Sequence, residues 1–348
     1  MLVEGICEGI ERPVALASET GSPRVGVARP MVAIGYTLSS EEHGPNELVA
    51  NAVRAEQAGF DFVSISDHFH PWVPAQGESP FVWSTLGAIA NATSEIEIGV
   101  GVVCPMIRIH PVNVAHAVAT VQVMADGRFT FGVGTGENLN EHVTGERWPE
   151  HGVRLEMLAE SMALMRELFT GENTSFRGDY YTTENAKLFT APEEVPEIVV
   201  SAFGPQTARM AAEEGDGLWV SGPAADVVDA FEDAGGEGPR YAQLHCCYAD
   251  DEEKAVDTVA ELWPNGALPG ELGQELATPV HFEQAVEMVD REDVAAGSTI
   301  TEPDPEPYVE HVETAVDAGY DHVYFHQIGP EQERFIDFVE AEVQPKLG

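Results

Sequence analysis

Lysine is nearly missing from this chain. Three lysines, Lys187, Lys254 and Lys346, belong to a total of only 17 basic residues, which stand against 60 acidic ones and leave a formal net charge of −43 over 348 residues. A surface of that sign repels a phosphate backbone, so nucleic-acid binding, which rests on basic side chains, is excluded as a function class. Long apolar runs are missing too, and none approaches the roughly 18 residues that span a bilayer. No charged segment leads into an apolar one in the manner of an export signal, so the expectation is a cytoplasmic protein. The few cysteines, Cys7, Cys104, Cys246 and Cys247, lack any C-x-x-C spacing, which leaves neither a disulfide framework nor a zinc knuckle to expect.

What is abundant is acid, and it is spread through the chain, as in "EQERFIDFVEAEV" at 331 to 343, rather than gathered in a tail. Self-repulsion of this size destabilises a compact state in dilute buffer and becomes tolerable when salt screens it over a few ångströms. The expectation is halophilic adaptation in a haloarchaeon-like source. The charge reports habitat, not activity.

Residues 1–30 mix Gly, Pro, Ser and Glu without a sustained period and are expected to form a loosely attached extension, with Met31 a plausible natural start. From Met31 onward short apolar runs alternate with longer amphipathic ones, the pattern of repeated βα units. Strands are predicted at 31–38, 62–66, 97–104, 129–134, 197–203, 217–221, 241–248 and 322–328. Between them lie helical stretches such as "NELVANAVRAEQAG", with Leu48, Val49, Ala52, Ala55 and Ala58 recurring at three and four residues before Gly59, and the stretch 152–171 closing on Gly171. Two insertions interrupt the alternation, a hairpin near 176–196 and a long segment at 264–300. The predicted fold is a single (β/α)8 TIM-barrel domain over 31–348, whose chemistry sits at the C-terminal ends of its strands.

Three strand ends carry candidate chemistry. After the second strand comes "SDHFHPW", where Asp67 and His68 offer an imidazole that can accept an alcohol proton and a carboxylate that could orient it. After the fourth, "GVGTGENLNE" combines glycines that let a backbone approach a planar ligand with Glu137 and Asn140. After the fifth, "SAFGPQTA" opens a helix at Pro205, whose first amides near Gly204 and Gln206 would face an anion. Each segment also reads as an ordinary turn. His68 and His70 form an H-x-H, the start of a metal-dependent hydrolase site, but alternate residues on a strand point opposite ways and no other strand end completes the set except "FHQ" at 325–327.

Taken together, "YTLSSEEHGPNELV", "AEQAGFDFVSISDHFHPW", "GRFTFGVGTGENLNEH" and "DAGYDHVYFHQIGP" resemble the luciferase-like family of F420-dependent oxidoreductases, in the branch that includes F420-dependent glucose-6-phosphate dehydrogenase. The resemblance implies a bound deazaflavin, coenzyme F420, and a homodimer. It implies that His68 is the catalytic base, with Asp67 contacting the cofactor and Trp72 and Glu137 beside the ring. It places a cis non-proline peptide behind the ring at Gly101–Val102, and cofactor contacts at Cys104, Thr135, Gly136, Asn140, Ala202, Phe203 and Gly204. His326 falls near the reacting carbon. Sugar-phosphate dehydrogenases of the family hold the phosphate with two lysines and an arginine; here Pro223 stands at one lysine position, and 264–300 has no lysine and only Arg291. The expected reaction is hydride transfer from a neutral alcohol or sugar to the deazaflavin. The alternatives are a sugar-phosphate dehydrogenase, an FMN-dependent monooxygenase of the same superfamily and a cofactor-binding protein without catalysis.

Overall fold

In the computed structural model, residues 32–347 are described; the 1–30 extension, Met31 and Cys7 lie outside them. Eight parallel strands close into a barrel. They are β1 (Ala33–Leu38), β2 (Phe62–Ile65), β3 (Glu97–Val103), β4 (Phe129–Val133), β7 (Ile198–Ser201), β8 (Gly217–Val220), β9 (Arg240–Cys246) and β10 (His322–Gln327), in the order β1-β10-β9-β8-β7-β4-β3-β2. Each predicted strand is present; seven end one or two residues sooner than predicted, where their last carbonyls turn into the following loop, and β1 ends at Leu38 as predicted but starts at Ala33. The insertion near 176–196 is an antiparallel pair, β5 (Thr174–Arg177) with β6 (Thr182–Ala186).

Helices cover the barrel because their apolar residues fall on one stripe. In α1 (Pro45–Gln57), Leu48, Ala52 and Ala55 are buried, and Pro45 occupies the first turn, where its missing N–H costs nothing. The longer helix read at 152–171 runs from His151 to Phe169 and buries Leu155, Leu158, Met162, Met165 and Leu168. Among the described residues, no helix is long and apolar enough to cross a membrane.

Inside the barrel an aromatic plug forms the floor of the site. Trp219 stacks on Tyr241 at 4.3 Å between ring centroids, and its Nε1 donates to the Tyr324 hydroxyl at 2.6 Å. Glycine makes room for this plug: a Cβ on Gly101 would lie 2.5 Å from the Trp219 ring, and one on Gly35 would lie 2.4 Å from Phe62. Close approach, rather than a turn, is what these two glycines serve.

The segment 264–300 is not the open loop its sequence suggests. It contains a 3-10 turn (Pro264–Ala267) and short helices at Leu272–Glu275, Pro279–Val286 and Arg291–Ala295. Phe282, fully buried, packs with Val73 and Leu139 and edge-on to Trp72 at 5.2 Å, so the insertion is seated over the strand ends by apolar contact.

Candidate active site

A cleft of about 770 Å³ opens at the C-terminal ends of the strands, floored by Trp219 and Tyr324 and roofed by the 264–275 part of the insertion. His68, Trp72, Glu137, Asp67, Gly101, Val102, Cys104, Thr135, Gly136, Asn140, Phe203, Gly204 and His326 all line it. Ala202 is the exception. It is buried in the barrel wall among the core residues and is not part of the lining, because successive residues leaving β7 face opposite ways.

His68 stands between two carboxylates. Its Nε2 lies 3.6 Å from Glu41 Oε1 and 3.6 Å from Glu137 Oε2. Its Nδ1 is 3.2 Å from the backbone carbonyl of His70. A carbonyl only accepts, so Nδ1 carries the hydrogen and Nε2 of the neutral ring is left with its lone pair toward the cleft. Trp72 packs edge-on to the imidazole at 5.1 Å and limits its rotation. Glu41 is buried at 3% exposure and accepts from the Ser66 hydroxyl at 2.5 Å. Glu137 is oriented by Asn140, whose Nδ2 donates to Oε2 at 3.0 Å while its Oδ1 accepts from the amides of Phe69 and His70. One side chain thus ties the β2 loop to the β4 loop. Burial raises the Glu137 pKa above the usual carboxylate range, against the lowering pull of His68 and with a further push from Glu41.

Asp67 does not orient His68. Its carboxylate turns away to Arg108, with Oδ2 2.6 Å from Nη2, and the same guanidinium also donates to the Asp67 carbonyl at 3.3 Å. Strand alternation explains this, since neighbours leaving β2 point to opposite sides. Arg108 also meets Glu141, its backbone N–H donating to Oε2 at 2.7 Å. Burial pushes the Glu141 carboxyl up to about 7 despite that hydrogen bond and the Arg108 charge. Asp67 Oδ1 is left in the cleft wall without a partner.

The Gly101–Val102 peptide is cis, as the resemblance implies. Gly136 has φ +74°, and a Cβ there would lie 2.5 Å from Cys104 Sγ. Gly204 caps α6 (Pro205–Glu214), a helix with no acidic residue in its first turn. A Cβ on Gly204 would meet nothing within 4 Å, so the space beside it belongs to the cleft. The H-x-H does not converge: His70 Nδ1 sits 3.0 Å from the Leu139 carbonyl.

Across the barrel, His326 on β10 and His245 on β9 are register partners. Trp263 stands edge-on to His326 at 4.5 Å and donates from Nε1 to Glu42 at 2.5 Å. Among the described residues no lysine lines the cleft, and its one guanidinium is that of Arg154, 3% exposed, 3.2 Å from Glu275 and 4.2 Å above Trp148. Arg291 is not in the cleft. It pairs with Asp257 at 2.6 Å on the outer face.

Sequence reasoning missed Glu41, Arg108 and Arg154. Glu41 could have been found, because "SSEEH" immediately follows the first strand and barrel chemistry sits at strand ends. Arg108 and Arg154 carried no local signal, since their partners are 41 and 121 residues away.

Residues 29–322 match the luciferase-like monooxygenase family. The chain is 35% identical to the F420-dependent glucose-6-phosphate dehydrogenase of Amycolatopsis mediterranei, over 91% of this chain and 99% of that protein. It is 37% identical to the enzyme of the same name from Intrasporangium calvum, again over 91% and 99%. Among solved structures, an F420-dependent secondary alcohol dehydrogenase in complex with an F420-acetone adduct superposes with a TM-score of 0.84 at 29% identity, covering 91% of this chain and 99% of that one. The F420-dependent tetrahydromethanopterin reductase of Methanopyrus kandleri shares the fold, with a TM-score of 0.73 at 21% identity over 91% of this chain and 99% of that one. The chain belongs to the luciferase-like monooxygenase family.

Proposed function

We propose that this protein is a coenzyme F420-dependent dehydrogenase that oxidises a hydroxyl-bearing carbon, on a neutral alcohol or sugar. The observation that carries the reading is the His68 imidazole held between Glu41 and Glu137 in the wall of a deep cleft. The relatives named above support the cofactor and the CH–OH chemistry.

The residues present fit a deazaflavin. Gly101, Val102, Gly134, Thr135 and Gly136 offer a flat backbone wall, and Asp67 Oδ1, enclosed and unpaired, would accept a hydrogen bond from the ring system. The open space at Gly204 and the first amides of α6 suit the cofactor's phosphodiester, with Phe203 alongside. When bound there, the deazaflavin supplies the hydride acceptor.

His68 Nε2, the lone-pair nitrogen of the neutral tautomer that the His70 carbonyl selects at Nδ1, takes the hydroxyl proton as the carbon gives up its hydride. Glu41 and Glu137 stabilise the imidazolium that forms, in a site where burial strengthens each charge. Glu137, with its raised pKa and its place on the cleft wall, would hold or release a proton at its carboxyl beside the place of the deazaflavin. Trp72 and the insertion above it exclude water from the reacting carbon.

A second reading, glucose 6-phosphate as substrate, is favoured by the names of the relatives and by Arg154 in the cleft. Against it, Arg154 is already engaged by Glu275, and no lysine is at hand to bind a dianion. The test is titration with F420, FMN and NADP followed by F420 reduction across alcohols, free sugars and sugar phosphates. Binding of FMN without F420 would overturn the cofactor, and turnover of glucose 6-phosphate alone would overturn the neutral substrate.

The homodimer and the salt requirement belong to the same reading. Helices α2 (Val82–Ala92) and α3 (Pro111–Met124) carry no Asp, Glu, Lys or Arg, in a chain of net charge −43. Their outer face exposes Phe81, Val123 and Met124. An uncharged apolar face is where two such acidic molecules can meet without repulsion.

A further inference from the structure

The wall formed by β9 and β10 takes part in none of the steps above. It carries two imidazoles side by side, His245 and His326, with ring centroids 5.1 Å apart and both lining the cleft. His326 is 3% exposed; its Nε2 meets the Ser39 hydroxyl at 3.1 Å, and its Nδ1 has no partner. In the roof above, Asn265 Oδ1 is likewise enclosed without a partner. In the closed barrel β10 adjoins β1, after which Glu41 comes, and faces β4, after which Glu137 comes. A molecule that presents one hydroxyl to His68 therefore has its remainder against this wall.

Buried polar atoms without partners are uncommon, and each is unfavourable unless a ligand or a water completes it. Two on adjoining surfaces of one cleft mark the place of a ligand's polar groups. Burial lowers both imidazoles, His245 to about 4 and His326 well below the ordinary value, with His245 and His43 adding to the effect on His326. Near neutral pH they are uncharged. A neutral imidazole and an amide oxygen match hydroxyls and ring oxygens, and they offer no charge to a phosphate.

We infer that His326, His245 and Asn265 form a hydroxyl-binding subsite, and that the substrate is a neutral polyhydroxylated molecule, a sugar or polyol, rather than a monohydric alcohol or a phosphorylated sugar. The inference rests on the dehydrogenase reading above and names its substrate class. A monohydric alcohol would satisfy His68 and leave this wall unpaired, and sites built to hydrogen-bond a hydroxyl discriminate strongly against analogues that lack it.

Two measurements test it. Nitrogen NMR of histidine-labelled protein in molar salt, with the His326 ring assigned by loss of its signal in His326→Gln, uses D-glucose, sorbitol, 2-propanol and glucose 6-phosphate as probes. Glucose or sorbitol should move the His326 resonance, and 2-propanol should not. In F420 reduction, kcat/KM for the best free sugar or polyol should exceed that for 2-propanol by roughly 100-fold or more. His326→Phe should cut that preference roughly 10- to 100-fold, His326→Gln should restore much of it, and Asn265→Leu, which changes no barrel strand, should reduce it as well. A sugar-induced His326 shift with no F420 reduction by any probe would support the subsite while removing the dehydrogenase reading. An unmoved His326 with every sugar and polyol, equal losses for sugar and 2-propanol in His326→Phe, or preference for 2-propanol or glucose 6-phosphate over every free sugar would overturn the subsite.

Discussion

The two walls of the cleft solve different problems with different chemistry. The wall from β1, β2 and β4 holds Glu41, Asp67, Glu137 and Glu141 around His68 and Arg108, and every one of these groups contacts another. The wall from β9 and β10 holds two imidazoles that burial keeps neutral. In the proposed reaction a proton moves at the first wall, and ionisable groups are held close together there because charge forming at such a place needs a partner already in position. Where a ligand has only to be positioned, uncharged groups suffice, and desolvating them is far less unfavourable than desolvating a charge.

The sharpest way to break the contrast is at its centre. His68→Ala should lower kcat by roughly 10² to 10⁴ with F420 affinity nearly unchanged, which stopped-flow turnover and cofactor titration would check. Full activity in that variant would remove the base. The flanking acids come next: Glu41→Gln and Glu137→Gln should each reduce kcat by roughly 10- to 100-fold, since each removes one of the two charges facing the imidazolium. Asp67→Asn should act differently, on cofactor affinity more than on kcat, because its carboxylate is turned to Arg108. Equal kcat effects from Glu41→Gln and Asp67→Asn would show that the carboxylates do not divide their roles in this way.

A smaller effect tests the charged wall through stability. The Glu141 carboxyl, raised to about 7 when folded, holds its proton more tightly in the native than in the unfolded chain. Its favourable contribution is complete below the unfolded value near 4.5 and is lost as pH rises through about 7. Relative to Glu141→Gln, the wild type should lose up to about 3 kcal/mol across that window in denaturant unfolding at constant molar salt. A pH-independent difference would count against the buried proton.

The smallest effect concerns the outer surface, where charge and its absence are again segregated. Met124→Glu on the uncharged α2–α3 face should weaken the proposed dimer by roughly tenfold or more in sedimentation, with little change in turnover. The wild-type melting temperature should climb with salt as the screening length falls from ~10 Å at 0.1 M toward ~3 Å at 1 M. A melting temperature indifferent to salt would refute the halophilic reading of the −43 charge.

How much of this was legible beforehand differs between fold and site. All eight barrel strands could be read from apolar runs, because a parallel strand buried on both faces leaves an uninterrupted apolar segment in the sequence. Part of the lining of the cleft was recoverable as well, since strand ends are short and the residues leaving them are few. His68, Glu137 and Asn140 were nominated on that basis, and the resemblance to a family added Trp72 and the Gly101–Val102 peptide. Adjacency misled where it stood in for contact: Asp67 follows the same strand as His68 yet binds Arg108, and Ala202 lies beside Phe203 yet faces the core.

By itself, then, the sequence determined the barrel, the mouth of the barrel as the place to look for a cleft, and a strongly acidic composition with only three lysines. These depend on periodicity and composition, which are properties of the chain read in order. Only the tertiary structure decided which carboxylate faces the imidazole, that a backbone carbonyl sets its tautomer, and that His245 and His326 stand together on the opposite wall. The carboxylate and histidine pairings depend on residues 27 to 81 positions apart, such as Glu41 with His68 and His245 with His326, meeting within a few ångströms. Closure of the barrel brings them together, and no local pattern records it.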